Sequence, residues 1–209
     1  MNQYSNRPRR PARSGAIPDV ILVLFVINGL VFAGQNFYPG LFSFYFALWP
    51  LNSPHADFHL WQLVTYGFMH GGLTHILFNM FMLWMFGREL EVIMGPKRFL
   101  TYYMTCVIGA GIVQLIVASL QGTGGPTVGA SGGVFGILLA FGMAFPNRMI
   151  LLLIPPIPMK AKYLVVLAGG MELYFGLAGT RPNIASFAHL GGMLFGFLLL
   201  HHWRRNSRR

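Results

Sequence analysis

The chain has 209 residues, of which 55% are hydrophobic and only 10% are charged. Soluble domains carry about 25% charged residues, so this composition argues against a soluble domain and places apolar surface against lipid. The formal net charge is +10. The basic residues lie at the ends of apolar runs rather than among aromatics on a polar face, which argues against nucleic-acid binding. A single cysteine excludes an intramolecular disulfide and a cysteine-built metal site.

Six apolar runs are predicted to cross the bilayer, which takes about 20 helical residues. They are residues 20–37, 72–87, 99–120, 129–145, 163–179 and 184–200. Asp19 is a candidate N-cap of the first run. The basic leader before it would also suit a signal peptide, but no small-residue cleavage pattern follows, so we interpret the run as a helix. The predicted fold class is an all-α polytopic membrane protein with six transmembrane helices.

Three connections between the predicted spans have a composition of their own. Residues 39–71 are long and rich in aromatics, which suits a segment in the membrane interface that packs partly on the protein. Residues 121–128 form a Gly/Thr/Pro-rich loop that leads into the fourth span. Residues 150–158 are apolar but contain three prolines, which remove helix donors, so we expect a connection that follows the surface.

The basic residues predict the orientation. All of the 15 Lys+Arg residues except Arg181 fall before the first span, between the second and third, between the fourth and fifth, or after the sixth. Because cytoplasmic loops are enriched in Lys and Arg, both termini are predicted to be cytoplasmic. We divide the chain into a basic tail at residues 1–16, a membrane domain at 17–203 and a second basic tail at 204–209. A compact chain without an N-glycosylation acceptor favours a bacterial plasma membrane.

Four polar side chains lie within predicted spans, where polar groups are costly and are candidates for function. His75 and Asn79 are one helical turn apart in the second span, Ser131 begins the fourth and His189 lies in the sixth. The predicted orientation places all four very roughly 5–10 Å below the outer surface. Three helices would therefore bring a hydroxyl, two imidazoles and a carboxamide to one depth.

Glycines accompany these polar residues. Gly129 and Gly132 flank Ser131 where a glycine-rich loop enters a helix, which lets backbone approach a ligand and leaves N–H groups free. Gly192 and Gly196 in the sixth span have the spacing of small residues on a helix contact face. We expect this face to contact the helix that bears Ser131.

These side chains predict nucleophilic acyl transfer. A serine hydroxyl needs an adjacent base, and a histidine supplies one near neutral pH. Asn79 or His75, with a backbone N–H, would stabilise the oxyanion. No Asp or Glu lies at the outer ends of these three spans, so we expect Ser131 and His189 to act without a third acid. Glu172, within the fifth span, would bond inward to a polar partner or be kept protonated.

Simpler interpretations exist for each residue. A lone intramembrane serine more often bonds the carbonyl one turn back, and glycines in spans mostly serve packing. The nucleophile elbow of soluble hydrolases needs a strand before the serine, and none is predicted there. A metal site from His70, His75, His189 and Glu172 is disfavoured, because the helical motif of zinc proteases is absent. We expect no metal and no cofactor, and a structural role for His70 in holding the outer loop.

In these motifs the chain resembles the rhomboid family of intramembrane serine proteases, over roughly residues 17–204. The matching segments are Gly129-Ala130-Ser131-Gly132, His70 with His75-Ile76-Leu77-Phe78-Asn79, Ala188-His189 with Gly192 and Gly196, and Glu91 with Gly95 in a turn after the second span. The resemblance implies a rhomboid-like bundle and protein substrates that are cut in or near transmembrane segments. It implies Ser131 as nucleophile, His189 as general base and then acid, and an oxyanion hole from Asn79, His75 and the Ser131 N–H. It further implies lateral access between the second and fifth spans.

Two positions depart from the family's pattern. Phe135 stands where relatives have a tyrosine that stacks under the catalytic histidine, so the ring remains and a hydroxyl is lost. Trp61-Gln62 stands where the family often has Trp-Arg, which concerns the anchoring of the outer segment. The alternative function is a non-catalytic membrane scaffold or small transporter that binds transmembrane clients, in which Ser131 would be dispensable.

Overall fold

The computed structural model describes residues 18–122, 125–151, 156–179 and 185–206. The elements in chain order are α1 (Asp19–Phe37), α2 (Pro39–Phe46), α3 (Gln62–Thr65), a 3-10 helix (Tyr66–Phe68), α4 (Leu73–Met94), α5 (Pro96–Gln121), α6 (Ser131–Ala144), β1 (Met149–Leu151), β2 (Pro158–Lys160), α7 (Ala161–Ala178) and α8 (Ser186–Asn206). The predicted tail at residues 1–16, Arg181 and the last three residues of the second tail lie outside the described residues.

Each predicted span falls on one of the six longest described helices, which are α1 and α4 to α8. By length and hydropathy, α1, α5 and α7 could each cross a membrane, and α6 is a shorter apolar helix. α4 and α8 carry charged residues toward their C-terminal ends. The count of six spans therefore stays a prediction.

α4 continues past Gly87, where the second span is predicted to end, and stops at Met94. Gly87 is buried inside the helix, where a Cβ atom would lie 3.2 Å from side-chain atoms of Ile21 and Phe99. This glycine allows close packing and does not end the helix. The helix ends at Gly95, whose φ of +79° lies in the region that favours glycine.

The N-terminus of α1 is capped by a residue of α4. Asp19 is the first helical residue and makes no capping hydrogen bond, so the predicted N-cap is wrong. The buried carboxylate of Glu91 instead accepts hydrogen bonds from the backbone N–H groups of Val20 (3.0 Å) and Ile21 (3.1 Å). An anion there pairs with N–H groups that have no partner within the helix. Glu91 thus joins α4 to α1 and lies within α4, not in a turn after it.

A short β-hairpin between α6 and α7 adds two strands to an otherwise helical fold. β1 pairs antiparallel with β2, with Met149 opposite Lys160 and Leu151 opposite Pro158. Each strand has three residues, too few for an alternating pattern to be recognised in the sequence. The predicted connection at residues 150–158 is therefore partly a paired strand, while residues 152–155 lie outside the described part.

α6 contacts α4, α5, α7 and α8, and α8 packs most extensively on α5 and α6. Aromatic side chains of α4 and α5, among them Phe86, Phe99, Tyr102 and Tyr103, are fully buried in the core. α7 lies at the periphery and presents large apolar side chains outward. Those more than 40% exposed are Tyr163, Val166, Leu167, Met171, Leu173, Tyr174 and Leu177. This outer surface has the character expected of one that faces lipid.

The aromatic segment between α1 and α4 is held by neutral hydrogen bonds. Gln62 is fully buried, and its Oε1 atom accepts a hydrogen bond from the Trp49 backbone N–H at 3.3 Å. Its Nε2 atom donates to the Asp57 carbonyl at 3.5 Å. The indole N–H of Trp61 donates to the Tyr45 carbonyl at 2.8 Å. Gln62 therefore anchors the segment without a charge.

Candidate active site

Ser131 is the first residue of α6, and the outer segment fixes the backbone that leads to it. Leu48 and Thr127 exchange two backbone hydrogen bonds, of 3.0 and 2.9 Å. The Gly129 N–H then donates to the Tyr66 carbonyl at 2.9 Å. Gly129 has a φ of +138°, which disfavours a side chain. The position of Ser131 therefore depends on both the glycine-rich loop and the aromatic segment.

His189, in the first turn of α8, contacts Ser131 directly. Its Nε2 atom lies 2.8 Å from Ser131 Oγ. Phe135, one turn after Ser131 on α6, stacks on the imidazole with ring centroids 4.3 Å apart and an interplanar angle of 4°. His189 is buried, with 8% of its surface exposed. Packing and hydrogen bonding thus hold the imidazole in one orientation beside the hydroxyl.

Glycines bring α6 and α8 close enough for this contact. A Cβ atom on Gly192 would lie 1.9 Å from the Gly132 carbonyl oxygen, so only hydrogen fits. Gly196, one turn further along α8, faces α5, where its Cβ would lie 2.4 Å from the Tyr102 hydroxyl. The predicted contact of the glycine face of α8 with the Ser131 helix is confirmed at Gly192, while Gly196 packs on a different helix.

His75 faces the same space as the Ser131 hydroxyl. A Cβ atom built on Gly129 would lie 3.0 Å from His75 Nε2 and 3.5 Å from Ser131 Oγ. The His75 Nδ1 atom accepts a hydrogen bond from the Gly71 N–H at 3.3 Å. In a neutral imidazole the other nitrogen then carries the proton. His75 therefore presents Nε2–H toward the site as a donor.

Asn79 lies one turn deeper on α4 and is buried. Its Nδ2 atom donates to the His75 carbonyl at 3.0 Å. The hydrogen bond that the structure gives Asn79 is therefore within its own helix. The Nδ2 group carries a second hydrogen, which can still be donated to an oxyanion.

His70 is joined to α1 through its backbone. Its N–H donates to Gln35 Oε1 at 3.0 Å, and its carbonyl accepts a hydrogen bond from Gln35 Nε2. The His70 ring packs edge-on against that of His75, with centroids 5.1 Å apart. Burial, and to a lesser extent the neighbouring His75, lowers the pKa of His70 to about 4, so the imidazole is neutral near pH 7. Sequence reasoning missed Gln35, whose only signal is an amide near the end of an apolar run.

Glu172 also reaches the site, which differs from the expectation of a pair without a third acid. Its Oε2 atom lies 3.2 Å from His189 Nδ1, and the two side chains are 9% and 10% exposed. The expectation considered only the second, fourth and sixth spans, whereas Glu172 comes from α7. A single carboxyl within an apolar helix was the available signal.

The candidate residues together provide a hydroxyl, a fixed imidazole in contact with it, and a donor facing the same space. Within the described ranges, no three His, Cys, Asp or Glu side chains are grouped so that they could hold a metal ion. A hydroxyl beside an imidazole suits attack on a carbonyl carbon, because the imidazole takes the hydroxyl proton as the bond forms.

Comparisons with known proteins give relatives for most of the chain. Residues 57–205 match the family model described as Rhomboid domain. The chain is 34% identical over 142 residues to "Rhomboid protein 1, mitochondrial" of Saccharomyces cerevisiae, covering 66% of this chain and 40% of that protein. It is 32% identical over 147 residues to "Rhomboid protease GluP" of Bacillus subtilis, covering 70% and 26%. It is 30% identical over 165 residues to "Rhomboid protease GlpG" of Yersinia pestis, covering 77% and 54%. These matches span roughly half of the relatives' length or less.

Proposed function

The chain belongs to the rhomboid family, and on this premise we propose that it is an intramembrane serine endopeptidase. It would hydrolyse peptide bonds in or near transmembrane segments of membrane proteins. The observation that carries the proposal is the 2.8 Å contact between Ser131 Oγ and His189 Nε2. Two of the relatives carry the word protease in their names.

The proposed reaction begins with Ser131 Oγ attacking the scissile carbonyl carbon while its proton moves to His189 Nε2. The tetrahedral intermediate collapses when His189 returns this proton to the leaving amine, which breaks the C–N bond. Water then attacks the acyl carbon while His189 takes a proton from it. His189 returns this proton to Ser131 Oγ as the C–O bond breaks, which releases the new carboxyl end and restores the enzyme. Phe135 supports these steps by holding the imidazole plane.

The proposed oxyanion hole consists of the Ser131 backbone N–H, His75 and Asn79. The Ser131 N–H belongs to the first turn of α6, whose N–H groups have no carbonyl partner within the helix. His75 offers its Nε2–H from beside Gly129. One such donor contributes about 2.7–4 kcal/mol in a soluble serine hydrolase.

The proposed substrates are transmembrane proteins whose helices unwind easily. A regular helix holds its carbonyls in internal hydrogen bonds, so helix-weakening residues such as glycine are expected near the cut, with small residues at it. We propose lateral access between α4 and α7, which is supported by the peripheral position and sparse burial of α7. No cofactor is required for this chemistry.

The proposed setting is the plasma membrane of a bacterium, with six spans and both termini in the cytoplasm. The exposed apolar surface of α1 and α7 supports insertion in a bilayer. The site would then lie near the outer face, where water can reach Ser131.

We test the function with purified protein in detergent and a type I transmembrane reporter substrate. Ser131→Ala and His189→Ala should each lower kcat by at least about 10³-fold, because the nucleophile or its base is removed. Ser43→Ala makes the same chemical change in α2, away from the site, and should cleave like the parent. Each protein is also treated with a fluorophosphonate, which should label the parent at Ser131.

Cleavage by Ser131→Ala at the parent's rate would overturn the assignment of this site and favour a non-catalytic scaffold or small transporter. A parent that neither cleaves nor takes the label would have no activated serine, which also contradicts the proposal. Labelling of the parent at Ser131 without cleavage would support an activated serine and would mean that the reporter is not a substrate.

A further inference from the structure

Glu172 is a buried acidic residue to which the reaction described above gives no role. It lies on the inner face of α7, whose other buried positions are Ala161 and Val165. Its carboxylate oxygen Oε2 is 3.2 Å from His189 Nδ1, while His189 Nε2 is 2.8 Å from Ser131 Oγ. One imidazole thus stands between the hydroxyl and the carboxylate.

A carboxylate at this position is costly unless it has a partner. Burial of an ionised group away from water is penalised strongly, and replacing a buried ion pair by apolar residues is often neutral or stabilising. An apolar side chain at residue 172 would pack α7 against α8 without that cost. Helix packing alone therefore does not account for a glutamate here, and its contact with His189 suggests a chemical role.

The contact lies at the distance of a hydrogen bond, but its angle is not that of a well-formed one in this structure. Hydrogen bonds among reacting groups are often long or poorly aligned before substrate binds, and they tighten in the complex. Phe135 stacks flat on the imidazole and fixes the ring plane beside the carboxylate.

We infer that Glu172 is a positioning residue that completes a Ser131–His189–Glu172 triad across α6, α8 and α7. The inference rests on the proposed protease function. For Nε2 to accept the serine proton, the proton of the neutral imidazole must be on Nδ1. A carboxylate facing Nδ1 selects that tautomer. It also stabilises the imidazolium that forms when the Ser131 proton arrives, and it takes no proton itself.

The inference predicts a loss of turnover when the charge of Glu172 is removed. In a soluble serine protease, changing the acid of the triad to its amide lowers kcat by about 10⁴-fold. Because the contact here is imperfectly aligned, we expect Glu172→Gln to lower kcat by roughly 10- to 100-fold. KM and thermal stability should stay close to those of the parent. Glu172→Asp, which keeps the charge on a shorter arm, should retain more activity than Glu172→Gln.

The matched control is Glu89→Gln, which makes the same change in an exposed ion pair with Arg148 at 3.1 Å, on the side of the fold away from Ser131. It should leave kcat unchanged. A second readout is ¹⁵N NMR of labelled histidine, in which the His189 signals are identified by their absence from His189→Gln. The parent should show the proton of His189 on Nδ1, and Glu172→Leu should shift the population toward Nε2–H.

Three results would overturn the inference. The first is a kcat of Glu172→Gln equal to that of the parent. The three Glu172 variants could lose activity equally and in proportion to lost thermal stability, which would indicate a structural role. The His189 nitrogen signals could be the same with and without the carboxylate. If the parent neither cleaves nor takes the fluorophosphonate label, the proposed function fails, whereas the NMR comparison still decides whether Glu172 sets the His189 tautomer.

Discussion

His70 shows how a single residue can hold a loop without using its titratable ring. The Gln35 side chain binds both the N–H and the carbonyl of His70, so the backbone carries the connection to α1. The ring fills buried space against His75. Because this space disfavours the charged imidazole, His70 links the stability of the fold to pH.

We predict that acidification destabilises the parent partly through His70. Its pKa falls from 6.5 to about 4 in the fold, so between these values the unfolded chain binds more protons than the folded one. The stability that His70 contributes by staying neutral is fully present above pH 6.5 and is lost as pH falls toward 4. From pH 7 to pH 5 the loss should be about 2 kcal/mol, and His70→Gln should lack it.

The measurement is thermal unfolding in detergent at pH 7 and pH 5. The fall in melting temperature between the two should be smaller in His70→Gln than in the parent, whatever the variant's stability at pH 7. His55→Gln replaces an exposed histidine of the outer segment and should behave like the parent. An equal fall in all three proteins would show that the His70 ring does not carry this dependence.

The sequence indicates some of the site's residues and not others, for a physical reason. Ser131 and His189 are recognisable because polar groups are rare in apolar spans and because glycines surround them. Gln35 and Glu172 are also polar residues in apolar runs, but the sequence does not show which side chains they meet. The rotation of α1 and α7 about their own axes decides which neighbours these side chains meet. A lone polar residue does not specify that rotation.

At the scale of helices, the approach of α6 to α8 is set by glycine. Ser131 begins α6 and His189 lies one turn before Gly192 on α8, so the 2.8 Å contact depends on how closely these two helices pack. The atom that a Gly192 side chain would strike is the Gly132 carbonyl oxygen, which is backbone and cannot rotate away. Relief requires the helices to separate.

We therefore predict that Gly192→Ala disables the site by separating its two helices. A Cβ atom 1.9 Å from backbone should lower the free energy of unfolding by roughly 1–3 kcal/mol or more. Fluorophosphonate labelling of Ser131 should fall with it. Gly170→Ala in α7 makes the same change where nothing lies within 4 Å of the new atom. It should keep the parent's melting temperature and labelling, and normal labelling of Gly192→Ala would contradict the argument.

The helix boundaries show where sequence patterns are less informative. A glycine in an apolar run has the same appearance whether it ends a helix or allows close packing inside one. Gly87 does the second and Gly95 does the first, and only the neighbours of Gly87 and the positive φ of Gly95 distinguish them. The hairpin of β1 and β2 is too short to produce a pattern.

At the scale of the whole molecule, α1 belongs to the fold even though the family match begins at residue 57. Two side-chain contacts join it to α4 and the loop before α4. Glu91 caps its N-terminus, and Gln35 holds His70 near its C-terminus. Because these contacts lie near opposite ends of α1, they fix both the depth and the direction of the helix beside α4.

That arrangement bears on the topology, which the distribution of Lys and Arg predicts to be six spans with both termini cytoplasmic. Cys106 is the only cysteine and is buried. Labelling of an introduced cysteine by a thiol reagent can therefore be measured with little labelling of the parent. The chosen positions are exposed: Asp19, Asn52, Asn147 and Asn206. α4, α5 and α6 separate Asn52 from Asn147, and α7 and α8 separate Asn147 from Asn206.

We predict that an impermeant maleimide added to intact cells labels Asn52→Cys alone. Asp19→Cys, Asn147→Cys and Asn206→Cys should react only after the membrane is permeabilised, and the parent should stay unlabelled in both conditions. If α4, α5 and α6 all cross the membrane, these three crossings place Asn52 and Asn147 on opposite sides. The two crossings of α7 and α8 place Asn147 and Asn206 on the same side. Labelling of Asn52→Cys and Asn147→Cys from one side would mean that α4, α5 and α6 do not all cross. The Ser131 site would then lose its predicted depth near the outer face.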